Sequence, residues 1–285
     1  MQYRNPDALV STEWLALHLN DPDLRVVDGT YILPPTTRSA RREFAERHIP
    51  GAVFFDIDEI ADKANPLPHM LPPPEQFAAK VRKLGLGDAA RIVAYDTHGL
   101  MSAARVWWMF RIFGHRNVAV LDGGLPKLIK EGRQVVGTAA APAERHFTAR
   151  FDPALVRNLM QVKAALERKG EQVVDARSAG RFKGVDPEPR AGLRGGHMPG
   201  AVNVPYADLL DPVSKTFLPA DTLAARFQAA GVDLARPICT SCGSGVSACV
   251  LALGLYLLGR DDVAVYDGSL SEWGGRKDTP VVTGP

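Results

Sequence analysis

The sequence predicts an α/β protein made of two tandem domains, each a mostly parallel sheet with helices on both faces. Two observations lead to this prediction. Three short segments recur in the same order at a domain-sized spacing, and within each half apolar strands alternate with amphipathic helices. The recurring segments are RVVD at 25–28 and QVVD at 172–175, HIPGAV at 48–53 and HMPGAV at 197–202, and VAVLD at 118–122 and VAVYD at 263–267.

Both halves predict the same series of elements. An amphipathic helix precedes the first strand, and Ser11 is the candidate N-cap of the first such helix. A long polar stretch, a strand and a second helix follow, and then RIVAYD at 91–96 or PICTSC at 237–242, a further helix and the last strand. The predicted helices include 13–19, 74–84, 155–169, 220–230 and 246–259. Because parallel strands gather their carboxyl ends at one edge of a sheet, we expect the site at that edge.

The boundary between the halves lies in an alanine-rich segment. Residues 137–150, GTAAAPAERHFTAR, have neither strand nor helix periodicity, which is typical of a linker. We therefore predict a first domain at 1–137, a linker at 138–151 and a second domain at 152–285.

Composition limits the classes of partner. The 285 residues carry 34 basic and 32 acidic side chains, a net charge of +2 that gives no general attraction to nucleic acid or a membrane surface. Three cysteines are an odd number, which argues against a disulfide framework and for a reducing compartment. The N-terminus has no apolar run of signal-peptide length, and the run at 250–258 is too short to span a bilayer. We expect a cytoplasmic protein.

The segment most informative about chemistry is ICTSCGSGVSAC at 238–249. It predicts a strand, a tight loop beginning at Cys242 and a helix. A cysteine at this place lies over the unpaired amides of a helix N-terminus, so we expect its thiol to ionise easily. Gly243 and Gly245 leave room for a concave nest of amides. Cys239 and Cys249 fall at core positions of the strand and the helix.

The repeat provides an internal comparison for that cysteine. Alignment of the halves places Asp96, in YDTHGLMSA, where the second half has Cys242. Only the second half therefore carries a nucleophile.

The motifs CGSGVSA, DARSAGRF, GHMPGAVNVP, HIPGAVFFDID and VWWMFRIFGH occur in order across nearly the entire chain. In these motifs the chain resembles the two-domain rhodanese-type sulfurtransferases. The resemblance implies two rhodanese-like domains and transfer of sulfur through a persulfide on Cys242. It implies no cofactor or metal, and the histidines show no ligand spacing with the cysteines.

The residues after the cysteine indicate the sulfur donor. Thiosulfate-type relatives place basic residues there, whereas this chain has Gly243 and Ser244. A neutral loop favours a donor with a carboxylate bound elsewhere, as in the branch that uses 3-mercaptopyruvate. The resemblance assigns this carboxylate to Arg181 and Arg190, whose planar guanidinium groups match it. With Gly243, Gly245 and Val246 of the loop, these arginines form the expected substrate-binding set.

The resemblance also implies a proton relay made of Ser244, His69 and Asp58, the last two from the first half. Such a chain moves a proton while the carboxylate sets the histidine tautomer. The implied sulfur acceptor is a thioredoxin-like protein or a small thiol, with cyanide as an alternative. His48 and His197, repeated in both halves, are expected to be structural.

Other residues of the family pattern are matched or replaced. Trp107 and Trp108 are expected to pack in the core or between domains. Met101 stands where relatives often have a tyrosine, so no hydroxyl contact to substrate is expected from that position.

Three other functions fit parts of the pattern. A thiosulfate sulfurtransferase would share the fold and differ in donor. A cysteine phosphatase would need Cys-x5-Arg, but the sixth residue after Cys242 is Ala248. A non-catalytic persulfide carrier would accept sulfur without turnover.

Overall fold

Two five-stranded parallel sheets with the same strand order form the two halves of the protein, in a computed structural model that describes residues 1–34, 36–138 and 141–284. The order is β1-β5-β4-β2-β3 in the first sheet and β6-β10-β9-β7-β8 in the second. The strands are β1 (Leu9–Val10), β2 (Leu24–Asp28), β3 (Val53–Phe54), β4 (Arg91–Tyr95), β5 (Val118–Leu121), β6 (Val156–Arg157), β7 (Gln172–Asp175), β8 (Val202–Asn203), β9 (Ile238–Ser241) and β10 (Ala264–Tyr266). The predicted duplicated α/β fold is confirmed.

Helices cover both faces of the sheets. In β4, Ile92 and Ala94 belong to one apolar cluster, with α4 and α5, whereas Val93 and Tyr95 belong to another, with α1, α2 and α6. The helices are α1 (Thr12–His18), α2 (Ala40–Glu46), α3 (Ile57–Ile60), α4 (Pro74–Lys83), α5 (Ala103–Ile112), α6 (Gly124–Lys130), α7 (Leu159–Arg168), α8 (Ala179–Phe182), α9 (Ala220–Ala229), α10 (Ala248–Leu257) and α11 (Ser269–Trp273). Among the described residues, no helix is both long and apolar enough to cross a membrane.

One predicted helix begins too early. The prediction placed it at 155–169, but β6 occupies Val156–Arg157, and α7 begins at Leu159. The physical reason is a capping box, in which Asn158 accepts from the Gln161 N–H and Gln161 accepts from the Asn158 N–H. The predicted N-cap of α1 is confirmed, since the Ser11 side chain accepts from the Trp14 N–H at 3.0 Å.

The two domains pack through α5 and α10, and one apolar cluster contains residues of both domains. All ten residues of α5 are buried. Trp108 Nε1 donates to the Leu155 carbonyl at 3.1 Å, and the Trp107 ring lies 5.3 Å from that of Tyr256. These tryptophans were expected to pack in the core or between domains, and both are buried and contact the second domain.

In addition, one loop of each domain contacts the other domain in a nearly symmetric way. Asp267 Oδ2 accepts from the Leu71 N–H at 2.7 Å, and its repeat counterpart Asp122 accepts from the Phe217 N–H through Oδ1 at 2.9 Å. Each domain thus lays a loop over the strand-to-helix turn of the other. His69, in the first of these loops, is thereby held against the second domain, and its backbone adopts a left-handed φ of 63°.

Part of the predicted linker packs on the first domain. Phe147 is fully buried, with its ring 5.7 Å from that of Phe77, and its carbonyl accepts from Arg82. Residues 139 and 140 of that linker, and residue 285, lie outside the described residues. The exact domain boundaries remain predictions.

Candidate active site

Cys242 follows directly after β9, at the carboxyl edge of the second sheet, and residues 243–247 lead from it into α10. The Cys242 N–H donates to Ser269 Oγ at 3.1 Å, and its carbonyl accepts from the Leu270 N–H at 3.0 Å. Cys242 is 2 % exposed, so its sulfur lies at the base of the loop. Gly245 has a left-handed φ of 75°, and a Cβ there would lie 2.8 Å from the Asp267 carbonyl oxygen, so only glycine fits.

The loop behind Cys242 presents unused backbone donors. Within the described part of the chain, the N–H groups of residues 243–248 have no hydrogen-bond acceptor. The first domain shows what such a loop holds. There Asp96, the counterpart of Cys242, accepts from the N–H groups of His98, Met101 and Ala103 at 2.8, 2.7 and 2.8 Å. The repeated loop therefore cradles an anion in the first domain, which supports the same capacity beside Cys242.

Both predicted substrate arginines flank this loop. A Cβ on Gly243 would lie 2.9 Å from Arg181 Nη2 and 4.0 Å from Arg190 Nη1. Because Gly243 has no side chain, both guanidinium groups can approach the backbone next to Cys242. The structure brings together the two arginines and the cysteine that the sequence analysis selected.

Arg181 is held by a buried carboxylate. Glu188 lies 2.6 Å from Arg181 Nη2 and also 2.7 Å from Nη1 of Arg177, which in turn pairs with Asp175 at 2.7 Å. Glu188 and Arg177 are almost fully buried, whereas the Arg181 side chain is 20 % exposed. Two cations and two carboxylates balance in this cluster, so the charge of Arg181 is already compensated.

Arg190 is held without a carboxylate. Its Nη2 donates to Tyr31 Oη at 2.9 Å and to His69 Nε2 at 2.9 Å. In the described ranges, no carboxylate lies within 4.0 Å of its guanidinium nitrogens. In the described residues, no ion pair therefore compensates the charge of Arg190 beside the loop of Cys242.

His69 and Asp58 form the pair that the relay requires. His69 Nδ1 lies 2.9 Å from Asp58 Oδ1, and the imidazole is buried while the carboxylate is half exposed. Burial lowers the pKa of His69, and the Asp58 carboxylate opposes this effect only in part. The close pairing with His69 lowers the pKa of Asp58. The partners are consistent with a neutral imidazole that carries its proton on Nδ1 and accepts at Nε2.

Ser244 and Val246 lie in the same loop but make fewer contacts. Ser244 is 4 % exposed, and in the described residues its side chain makes no hydrogen bond, so the structure connects only Asp58 and His69 of the three relay residues. The Val246 side chain packs in the apolar cluster, which leaves its N–H as the group available to a ligand.

Arg105 connects the His69 segment to the cysteine loop. This fully buried side chain of α5 lies 2.7 Å from Asp267 Oδ1 and donates to the Gly245 carbonyl at 3.2 Å. It also donates to the His69 carbonyl. One guanidinium of the first domain thus fixes both the loop and the histidine.

The repeated histidines are packing residues. The His48 ring stacks on Phe44 at 4.1 Å, and the His197 ring stacks on Phe182 at 3.7 Å. Each Nδ1 hydrogen bonds to the carbonyl of the residue on which it stacks. Their expected structural role is supported.

Tyr31 and Glu188 were not among the site residues predicted from the sequence. Tyr31 follows the carboxyl end of β2, and this position was an available signal because site residues gather there. Glu188 lies two residues before Arg190, but only the folded chain shows that it binds Arg181 and Arg177.

Comparisons with known proteins agree with this geometry. The Rhodanese-like domain family matches residues 11–131 and 159–276. Human 3-mercaptopyruvate sulfurtransferase is 47% identical over 272 residues, which cover 93% of this chain and 91% of that protein. Bovine (Bos taurus) thiosulfate sulfurtransferase is 46% identical over 275 residues, with the same coverage of 93% and 91%.

A solved structure is similarly close. The crystal structure of SseA from Escherichia coli, described as a 3-mercaptopyruvate sulfotransferase, superimposes with a TM-score of 0.85 at 40% identity, over 92% of this chain and 98% of that chain. Enzymes named for two different donors are thus almost equally similar in sequence. The chain belongs to the rhodanese-like family, and it is a sulfurtransferase with two such domains.

Proposed function

We propose that this enzyme transfers the sulfur of 3-mercaptopyruvate through a Cys242 persulfide to a thiol or cyanide and releases pyruvate. The observation that carries the proposal is that Arg181 and Arg190 both lie beside a cysteine loop that has no basic residue of its own. A carboxylate held by these arginines lies next to Cys242, so the donor sulfur can face the nucleophile.

The first half-reaction balances without an added reagent. The relay accepts the Cys242 proton once Arg190 Nη2 no longer donates to His69 Nε2, and His69 then holds the proton as an imidazolium that Asp58 stabilises. The Cys242 thiolate attacks the donor sulfur, an S–S bond forms and the C–S bond breaks, with the electron pair passing to the pyruvate enolate. The proton then returns to the enolate carbon, by way of Ser244 in our scheme. The products are pyruvate and a Cys242 persulfide, whose outer sulfur keeps the donor's thiol proton.

The second half-reaction discharges the persulfide. A thiolate or cyanide attacks the outer sulfur, and the S–S bond breaks to leave Cys242 as a thiolate. We expect the N–H groups of residues 243–248, which have no acceptor among the described residues, to stabilise this anion, as the amides of the equivalent loop do for Asp96. A thioredoxin-like protein or a small thiol is the proposed physiological acceptor.

A steady-state assay with both donors tests the proposal. We expect a higher kcat/KM with 3-mercaptopyruvate than with thiosulfate, because Arg190 is the one uncompensated cation that a dianionic donor meets beside the loop among the described residues. A marked preference for thiosulfate would reject this donor and favour the alternative enzyme.

The nucleophile is tested by paired cysteine variants. Cys242→Ser should abolish pyruvate release, whereas Cys249→Ser, which changes a buried thiol of α10, should retain turnover. Pyruvate release by Cys242→Ser would contradict the assignment. A sulfur adduct on wild-type Cys242 that forms once without further turnover would indicate a persulfide carrier.

We retain the cytoplasm as the proposed location. The chemistry needs a reduced Cys242, and all three cysteines are free thiols in the fold. One relative in Arabidopsis thaliana is named as mitochondrial, so fractionation of the native cells is the direct measurement.

A further inference from the structure

We propose that Tyr31 positions Arg190 and His69 for binding of the sulfur donor, and that the cysteine-free loop of the first domain holds Tyr31 in place. The inference deepens the proposed function and rests on it, since it concerns the arginine that binds the donor carboxylate. It also gives the loop of Asp96 a role in the reaction of the other domain.

Tyr31 contacts both groups directly. Its hydroxyl accepts from Arg190 Nη2 at 2.9 Å, and its ring meets the His69 imidazole edge to face, with centroids 4.5 Å apart and planes 73° apart. Tyr31 is only 9 % exposed. A buried ring against the imidazole restricts its rotation, and a buried hydroxyl fixes the guanidinium that faces the cysteine loop.

A hydroxyl suits this position because it orients the arginine without neutralising it. The neighbouring Arg181 is held by the Glu188 carboxylate, which cancels its charge. Arg190 meets only the Tyr31 oxygen and the His69 nitrogen at Nη2, and its Nη1 points toward Gly243 without a hydrogen-bond acceptor in the described residues. Its charge and one edge of its guanidinium therefore remain for the donor carboxylate. Burial raises the pKa of Tyr31, an effect that Arg190 opposes, and keeps the hydroxyl protonated.

The first domain anchors the backbone of Tyr31 at two points. The Tyr31 N–H donates to Ser102 Oγ at 3.0 Å, and the Tyr31 carbonyl lies 2.8 Å from His98 Nε2. Both anchoring residues belong to the loop that wraps around Asp96, which accepts from the N–H groups of His98 and Ala103. The carboxylate in the position of the nucleophile thus links the residues of this loop, and the loop in turn anchors Tyr31, which contacts Arg190 and His69 of the site.

Tyr31→Phe is the test, because it removes the hydroxyl and keeps the ring. Loss of one hydrogen bond to a charged group predicts a rise of about tenfold in the KM for 3-mercaptopyruvate and in the inhibition constant of pyruvate. The kcat should change by less than about threefold, and discharge of a preloaded persulfide by cyanide should keep its wild-type rate, because cyanide has no carboxylate. A merely structural defect would lower both half-reactions together.

Tyr3→Phe is the matched control. It also removes a hydroxyl that bridges the domains, by donating to the Leu218 carbonyl, and in the described residues this hydroxyl makes no hydrogen bond to Arg190 or His69, so the KM of the variant should match the wild type. Ser102→Ala tests the anchor, and a rise of about two- to fivefold in KM is expected from a less fixed Tyr31.

The outcomes separate this inference from the proposed function. If the wild-type enzyme releases no pyruvate from 3-mercaptopyruvate, the proposed function fails, and this inference fails with it. If the wild type turns over and Tyr31→Phe leaves KM and pyruvate inhibition unchanged, the inference alone is wrong. Equal losses in the donor and cyanide half-reactions would also overturn it.

Discussion

Replacing Arg105 by methionine should destabilise the enzyme in a pH-dependent way. The substitution keeps the aliphatic volume and removes the guanidinium that lies 2.7 Å from the buried Asp267 carboxylate. No other cation lies within 4.0 Å of Asp267 among the described residues. Asp267 would keep the Leu71 N–H as its donor, which is the situation of its repeat counterpart Asp122 with the Phe217 N–H.

Asp122 shows how much an unpaired buried carboxylate at this position costs in stability. Burial raises the pKa of this carboxyl from 3.8 to about 6. If Asp267 came to resemble it, the charge would cost about 3 kcal/mol at pH 8 and about half of that at pH 5. The variant is less stable at high pH because the pKa of Asp267 would be raised in its folded state. Its stability is retained below the pKa of the unfolded state and is lost as the pH rises through about 6. Lost hydrogen bonds to two carbonyls and the lost contact with the Trp108 ring, 4.5 Å away, add about 1–2 kcal/mol at any pH.

The assay is equilibrium unfolding in guanidinium chloride at pH 8 and pH 5, followed by tryptophan fluorescence. We expect Arg105→Met to lose about 4–5 kcal/mol at pH 8 and about 1.5 kcal/mol less at pH 5. Arg111→Met is the control on the same helix, because Arg111 stacks on Trp107 and Tyr256 and pairs with no carboxylate in the described chain. The reasoning is refuted if Arg105→Met loses less than about 1 kcal/mol, or if its loss is the same at both pH values.

Three further predictions use other parts of the structure. Asp122→Asn removes a carboxyl whose pKa burial raises to about 6. The free energy of unfolding of the variant, compared with that of the wild type, should therefore be higher at pH 8 than at pH 5 by about 1.5 kcal/mol. The same variant-to-wild-type difference at both pH values would contradict the burial argument. Asp58→Asn removes the carboxylate that opposes the lowering of the His69 pKa, so this pKa should fall further. The acid limb of the pH–rate profile should therefore move to lower pH, and kcat should fall about 10- to 100-fold. An unmoved limb would exclude His69 from the relay. Glu188→Gln leaves the buried Arg177 and the partly buried Arg181 with one carboxylate, so denaturation should show a loss of about 2–4 kcal/mol, against less than about 0.5 kcal/mol for Glu43→Gln in the more exposed pair with Arg38; equal losses would show that burial does not matter here.

Elements with a strong local pattern were predictable. The central strands are continuous apolar runs between turn residues, and the long helices carry a regular apolar face, so both could be located from neighbours a few residues apart. The edge strands β1 and β6 could not, because two residues are too few for a periodic pattern and each is defined by hydrogen bonds to β5 or β10. The start of α7 was misplaced for the same reason, since β6 lies where an early helical turn was expected.

The sequence alone determined the duplication, the alternation of strands and helices, and the single cysteine loop at the end of a strand, because each can be recognised from short segments of consecutive residues. Only the tertiary structure decided which charges are free. Arg181 and Arg190 look equivalent in the sequence, yet one is neutralised by Glu188 and the other is held by Tyr31 and His69 of the opposite domain. Likewise, Asp267 pairs with Arg105, whereas no arginine of the described residues pairs with Asp122, although the two aspartates end the same repeated strand motif. The differences at Arg190 and Asp267 arise where the two similar domains pack against each other, through contacts between residues more than a hundred positions apart, which leave no trace in the local sequence.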